Sequence, residues 1–245
     1  MKKIALEPGF PNLRTMLEFS VFQKNLGQVQ TRIAKACEAC SRPAQNVRLL
    51  PVTKTHPVEA SYFARRAGLL AVGENRVQEA VSKRPQGPPD LRWELIGHLQ
   101  SNKTRLAVAT FDRIQSLDSP ELARRLASLC AEAGKVMPVL LQANAGADAA
   151  KSGAVDFDAL RSLADVAFSL PQLRVEGLMT IPPLNADSSV ARRSFETLRS
   201  WRDRLEAAFG KALPELSMGM SSDIEAAIAA GSTQVRVGTA LFGSR

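Results

Sequence analysis

From Val47 onward the chain alternates short apolar runs with amphipathic helical stretches, and that alternation limits the folds open to it. The apolar runs fall at Val47–Val52, Leu69–Val72, Arg92–Ile96, Arg113–Ser116, Val136–Ala143, Val175–Ile181, Leu216–Met220 and Gln234–Val237. Helical periodicity fills the stretches of about 57–67, 75–83, 102–109, 119–133, 156–168, 188–209 and 222–230. Strands separated by helical crossovers pair in parallel. Eight of them match the count of an α/β (β/α)8 TIM barrel. The competing arrangement is an open doubly wound sheet. No G-x-G-x-x-G follows the first run, which counts against its dinucleotide-binding form. A helical stretch over about 13–40, with Leu26, Val29, Ile33 and Ala36 in register, precedes the first strand. Before it, Pro8-Gly9-Phe10-Pro11 reads as part of a loose extension. The expected division is a loose N-terminal extension over 1–12 and one barrel domain over 13–245.

No apolar run approaches the ~20 residues needed to span a bilayer. The start, Met1-Lys2-Lys3-Ile4, lacks the apolar stretch of a signal peptide. A cytoplasmic protein with no membrane contact is expected. The formal net charge is +8, but the arginine pairs 65–66, 124–125 and 192–193 lie within helical patterns, as solvated faces do. Aromatics are only 5%, so no stacking platform accompanies the charge and nucleic-acid binding is not expected. A mildly positive field favours small anions. Cys37-Glu38-Ala39-Cys40 has the C-x-x-C spacing but no second pair, so it reads as two small residues on a helix face. His56 and His98 are the only histidines, and neither belongs to an H-E-x-x-H pattern. No metal site is expected. The G-x-S-x-G elbow of a serine hydrolase is also missing.

Function in a barrel gathers where the strands end at their carboxyl side. Lys54 follows the first strand and shares a face with Leu50 and Val52 by period-two alternation. An ammonium beside apolar walls loses its proton more readily, which makes such a lysine a candidate Schiff-base former. Ser222-Asp223-Ile224-Glu225 fits a capping box and predicts a helix start directly after the seventh strand. Its first amides, with the Ser221 and Ser222 hydroxyls, can bind an anion. Gly238 and Thr239 close the eighth strand, and barrel phosphate sites sit in the loops after strands seven and eight. Closure brings strand one beside strand eight. The expected ligand is therefore an aldehyde that carries a phosphate, with pyridoxal 5'-phosphate as the obvious one. Arg236 is a further element. A guanidinium against the ring nitrogen would keep that nitrogen unprotonated and the ring a poor electron sink. Plainer readings stay open: a solvent-reaching lysine, an ordinary N-cap serine and a barrel-end ion pair. His98, at the end of the third strand, could serve as acid or base.

Several ordered blocks resemble the pyridoxal phosphate homeostasis proteins. They are Leu49-Leu50-Pro51-Val52-Thr53-Lys54-Thr55, Gly73-Glu74-Asn75-Arg76-Val77-Gln78-Glu79 and Ile96-Gly97-His98-Leu99-Gln100-Ser101-Asn102-Lys103. Lys151-Ser152-Gly153, Gly177-Leu178-Met179-Thr180-Ile181-Pro182 and Leu216-Ser217-Met218-Gly219-Met220-Ser221-Ser222-Asp223 follow, and Val235-Arg236-Val237-Gly238-Thr239-Ala240-Leu241-Phe242-Gly243 completes the set. The resemblance implies a single fold-type III barrel, similar to the N-terminal domain of alanine racemase. It implies that Lys54 forms the internal aldimine and that Ser221, Ser222, Gly238 and Thr239 hold the phosphate. It also implies that Arg236 faces the ring and that Asn75 and Met220 line the cofactor face. Two segments depart from the usual family pattern: Glu94 follows Trp93 where the family usually has histidine, and Asp148-Ala149-Ala150 precedes Lys151 where the family usually has a glutamate and a glutamine.

Family members bind the cofactor, affect vitamin B6 and amino-acid balance, and have no established turnover. The expectation is thus a non-catalytic carrier of pyridoxal phosphate. Its expected partners are the cofactor, amino acids and pyridoxal-phosphate-dependent apo-enzymes, and a monomer is expected rather than a dimer. The alternative is a pyridoxal-phosphate-dependent amino-acid racemase. By resemblance that would need a second domain with a tyrosine base, whereas the sole tyrosine here is Tyr62 and the chain stops at Arg245.

Overall fold

Period-two alternation sorts each strand's side chains into an outer apolar layer and an inner, partly polar one. On the last strand, Val235 and Val237 pack outward with Phe22, Val29 and Ile33 of the first helix, while Gln234 and Arg236 bond across the barrel interior. On the third, Trp93 and Leu95 join the outer core, whereas Glu94 turns inward to Gln115. The computed structural model describes residues 13–148, 150–183 and 188–243. The extension expected over residues 1–12 lies outside the described residues.

The elements run α1 (Leu13–Ala39), β1 (Arg48–Pro51), α2 (Glu59–Arg66), β2 (Ala71–Glu74), α3 (Val77–Lys83) and β3 (Arg92–Leu95). There follow α4 (Thr104–Thr110), β4 (Arg113–Leu117), α5 (Pro120–Glu132), β5 (Met137–Gln142), α6 (Phe157–Ser169) and β6 (Leu173–Met179). The chain then forms α7 (Ser188–Phe209), β7 (Glu215–Ser217), α8 (Ile224–Ala229), β8 (Gln234–Val237) and α9 (Thr239–Phe242). The eight strands form one parallel sheet in the order β1-β8-β7-β6-β5-β4-β3-β2. Its ends meet at a bridge between Val52 and Gly73, where the Thr53 N–H donates to Gly73 O at 3.0 Å. The sheet is therefore a nearly closed (β/α)8 barrel, not an open doubly wound sheet.

The strand boundaries differ from the sequence reading where backbone chemistry intervenes. β7 stops at Ser217 rather than Met220, because Gly219 takes φ +98 and the chain turns. A Cβ on Gly219 would lie 2.5 Å from the Ala227 Cβ, so this turn needs glycine. β2 is Ala71–Glu74 rather than Leu69–Val72, and Leu70 is left exposed. α9 was not anticipated, since four residues carry too little periodicity to read.

Among the described residues no helix is long and apolar enough to cross a membrane, and no cluster of His, Cys, Asp and Glu could hold a metal ion. The Cys37-x-x-Cys40 pair closes α1, with Cys37 fully buried and Cys40 partly exposed. Burial pushes the Cys37 and Cys130 thiols up, away from thiolate formation. A charged alkylating reagent is thus expected to modify Cys40 alone in the native protein and all three cysteines after unfolding. Peptide mass spectrometry reads this, and labelling of Cys37 or Cys130 before unfolding would contradict the packing.

Candidate functional site

Lys54 lies just past β1 in a turn held by a partly buried ionic network. The Thr53 hydroxyl donates to Glu74 Oε1 at 2.7 Å. The Lys83 ammonium donates to Thr53 O at 2.8 Å, to Glu74 Oε1 at 2.9 Å and to Glu79 Oε1 at 2.6 Å. The Thr55 N–H also reaches Glu79 Oε1, at 2.5 Å. Thr55 sits at φ +63, a left-handed conformation that a β-branched residue resists. The carbonyl at 53 and the amide at 55 are thus clamped on either side of Lys54. Glu74 is fully buried at the end of β2; burial raises its carboxyl above the ordinary range, against the hydrogen bonds from Thr53 and Lys83.

Across the β1–β8 seam, the loop after β7 and the turn into α9 face each other. Gly238 starts that turn against β1: a Cβ there would meet Val52 O at 3.2 Å. The Ala240 amide points at the Ser221 hydroxyl at 3.4 Å, which ties the two turns together. Among the described residues, the amides of Ser222 and Thr239 have no hydrogen-bond acceptor. The capping box expected at Ser222 is not formed. α8 begins at Ile224, and Asp223 turns back so that its carboxylate accepts the Met220 amide at 2.5 Å. Burial raises the Asp223 carboxyl, while that amide and the charge of Arg236 oppose the rise. Glu225 is taken by Arg32 of α1, whose Nε and NH2 reach its two oxygens at 2.8 and 2.9 Å. The same guanidinium donates to Ser221 O at 2.9 Å. Competition from Arg32 leaves the Ser222 amide open, as an anion cradle requires.

Arg236 is 3% exposed. Its NH1 donates to Ser217 O at 2.7 Å and to Ser217 Oγ at 2.8 Å, and NH2 donates to Thr180 O at 2.8 Å. Three of the ~five guanidinium N–H donors are thereby fixed. Burial pulls its pKa down to about 10, partly offset by Asp223, so the group stays charged at neutral pH. Lys54, Asn75, Met220, Ser221, Ser222, Arg236, Gly238 and Thr239 all line one cavity of about 420 Å³. That volume falls within the ~300–1,000 Å³ of small-molecule sites. Val52, Ile96 and Ile181 give the cavity apolar walls, and His56 stands at its edge beside Phe242.

Other expected groups lie elsewhere. His98 does not line the cavity; its Nδ1 lies 3.0 Å from Asp118 Oδ2 and 3.2 Å from Ser152 Oγ. Glu94 sits inside the barrel, also off the cavity lining. Tyr62 donates to Gln86 O at 3.0 Å on the outer helix α2. The sequence reading missed Arg32 and the Thr53–Glu74–Lys83–Glu79 network. The i,i+4 spacing of Glu79 and Lys83 on α3 was the one local signal for that network.

The model of the alanine racemase N-terminal domain family matches residues 25–245. A pyridoxal phosphate homeostasis protein of Vibrio alginolyticus is 41% identical over 231 residues, covering 92% of this chain and 98% of that relative. The structure of PipY from Synechococcus elongatus PCC7942, with PLP bound, superposes with TM-score 0.75 at 39% identity, covering 86% of this chain and 100% of that one. An alanine racemase of Clostridium difficile 630 superposes with TM-score 0.75 at 15% identity, covering 92% of this chain but 57% of the enzyme. At that identity the likeness concerns the barrel alone. On the strength of the domain match and the relative that spans nearly the whole chain, this protein belongs to the pyridoxal phosphate homeostasis protein family.

Proposed function

We propose that the protein binds pyridoxal phosphate in this cavity and acts as a non-catalytic carrier in vitamin B6 homeostasis. One observation carries the reading. Lys54, the buried charged guanidinium of Arg236, Ser221, and Ser222 and Thr239 with their open amides all line one cavity. The fit to the cofactor is good on the residues present. Ser221, Ser222 and the amides of Ser222 and Thr239 supply donors for a phosphate dianion, and Gly238 leaves room for it. Lys54 stands across the seam from that cradle, Arg236 offers its remaining N–H groups, and Asn75 and Met220 line the ring's walls. When bound, pyridoxal phosphate supplies an aldehyde that condenses reversibly with primary amines. Arg236, charged and donor-only, cannot protonate a ring nitrogen without losing its own charge, and so gives no support to carbanion chemistry. A racemase would need a second acid–base group on the opposite face. Tyr62 is committed to Gln86 O and is not among the cavity residues.

The carrier reading extends to amino acids as exchange partners, apo-enzymes as recipients, a monomeric state and a cytoplasmic setting. The phosphate assignment has its own test. Replacing both Ser221 and Ser222 with alanine is expected to weaken pyridoxal phosphate binding by about 1–3 kcal/mol, the scale of charge-assisted hydrogen bonds. Pyridoxal, which lacks the phosphate, should bind nearly as before. Equal weakening of both ligands in calorimetric titrations would remove the serines from the phosphate site.

A further inference from the structure

Four strands meet at one glutamine in the barrel interior. Gln115 of β4 is fully buried. Its Nε2 donates to Glu94 Oε2 of β3 at 2.5 Å and to Gln234 Oε1 of β8 at 2.8 Å. Both donors of the amide are thereby used on oxygens, so the amide oxygen must face the third neighbour. That neighbour is the Ser217 hydroxyl of β7, which donates to Gln115 Oε1 at 2.6 Å. With its only proton committed there, Ser217 Oγ has lone pairs left for Arg236 NH1 at 2.8 Å. The direction of every hydrogen bond in this chain follows from the donor inventory of each group. A carboxylate and a second glutamine fix the amide, the amide fixes the hydroxyl, and the hydroxyl fixes the guanidinium.

We propose that Gln115 is a positioning residue for the cavity: by locking the Ser217 hydroxyl it holds Arg236 with its Nε–H and second NH2 hydrogen available to a ligand. Without Gln115 the Ser217 hydroxyl can rotate, and NH1 keeps only the main-chain carbonyl of Ser217 as a constant acceptor. Gln115 reaches no ligand itself, since it is not among the residues that line the cavity. Its part in cofactor binding rests on the function proposed above, whereas the relay inside the barrel does not.

Two readouts separate these. The first is the Arg236 Nε–H resonance in 15N NMR spectra of cofactor-free protein. The second is the affinity and visible absorption band of protein loaded with pyridoxal phosphate. Gln115→Leu is expected to shift or broaden the Arg236 resonance, displace the band and weaken the cofactor about fivefold, the worth of one hydrogen bond. Gln142→Leu, which removes another buried glutamine bonded to Ser152 O, is the control and should leave both readouts as in the parent. Ser217→Ala, which keeps the carbonyl but not the hydroxyl, should repeat the effect and serves if Gln115→Leu does not fold. An Arg236 resonance unchanged in Gln115→Leu or in Ser217→Ala overturns the relay, whatever the loading. A changed resonance in the variants, with a parent that takes up no cofactor, upholds the relay and refutes the proposed function instead.

Discussion

Lys54→Ala is expected to lose the visible band of the loaded protein and all borohydride trapping of cofactor at that position. The expectation follows from where the fold puts the amine. β1 pairs with β8, so the turn after β1 lies beside the turn that begins at Gly238. A phosphate held by Ser221, Ser222 and Thr239 would leave the aldehyde within this one cavity, and among the described residues Lys54 is the only lysine that lines it. Alanine removes the nucleophile and nothing from the cradle, so phosphate-dependent, non-covalent binding should persist at reduced affinity. Absorbance and mass spectrometry of reduced peptides check both halves. A trapped cofactor that survives in the variant would move the reactive amine to another lysine.

The second large effect concerns stability. Lys83→Met should cost about 3 kcal/mol at neutral pH, because it leaves the buried Glu74 carboxylate without its ammonium. The cost should depend on pH in a definite sense. Burial already raises the Glu74 carboxyl above its ordinary 4.5, and loss of Lys83 raises it further. An acid whose pKa is higher in the folded state favours folding below its unfolded value, and that support is lost as pH rises through the folded value. Lys83→Met should therefore fall short of the parent at pH 7 and approach it near pH 5, in urea unfolding at both. Adding Glu74→Gln should recover part of the loss at pH 7. A deficit equal at both pH values would mean that lost packing, and not the carboxylate, sets the cost.

These two outcomes also separate what was legible in the sequence from what was not. The strands and the long helices could be read because alternation and the 3.6-residue period are local signals. The eight expected cavity residues could be listed because all but Arg236, which lies within β8, follow the carboxyl end of a strand by one to five positions, where a barrel places its site. The supports were not legible. Arg32 grips Ser221 O from 189 positions away, and Gln115 meets Gln234 across 119. Only closure of the sheet brings such pairs together. The failed capping box illustrates the same limit. Ser222 and Glu225 have the right local spacing, yet a bidentate arginine from a distant helix offers Glu225 a stronger partner than a lone amide. The sequence pattern places Gly219 in a strand, because nothing in its neighbours announces φ +98.

At the centre of the proposed function is a site that would hold pyridoxal phosphate on Lys54 without turning over amino acids. The most direct test is α-proton exchange into deuterated water, followed by NMR over a panel of L-amino acids, with protein whose loading at Lys54 has been confirmed by mass spectrometry. The expected result is loading at Lys54 and exchange no faster than with free pyridoxal phosphate, since Tyr62 does not line the cavity and Arg236, set against the ring as proposed, would withhold a proton from it. Exchange near the ~10 s⁻¹ of a typical enzyme, lost in Lys54→Ala, would contradict it and make the protein a catalyst.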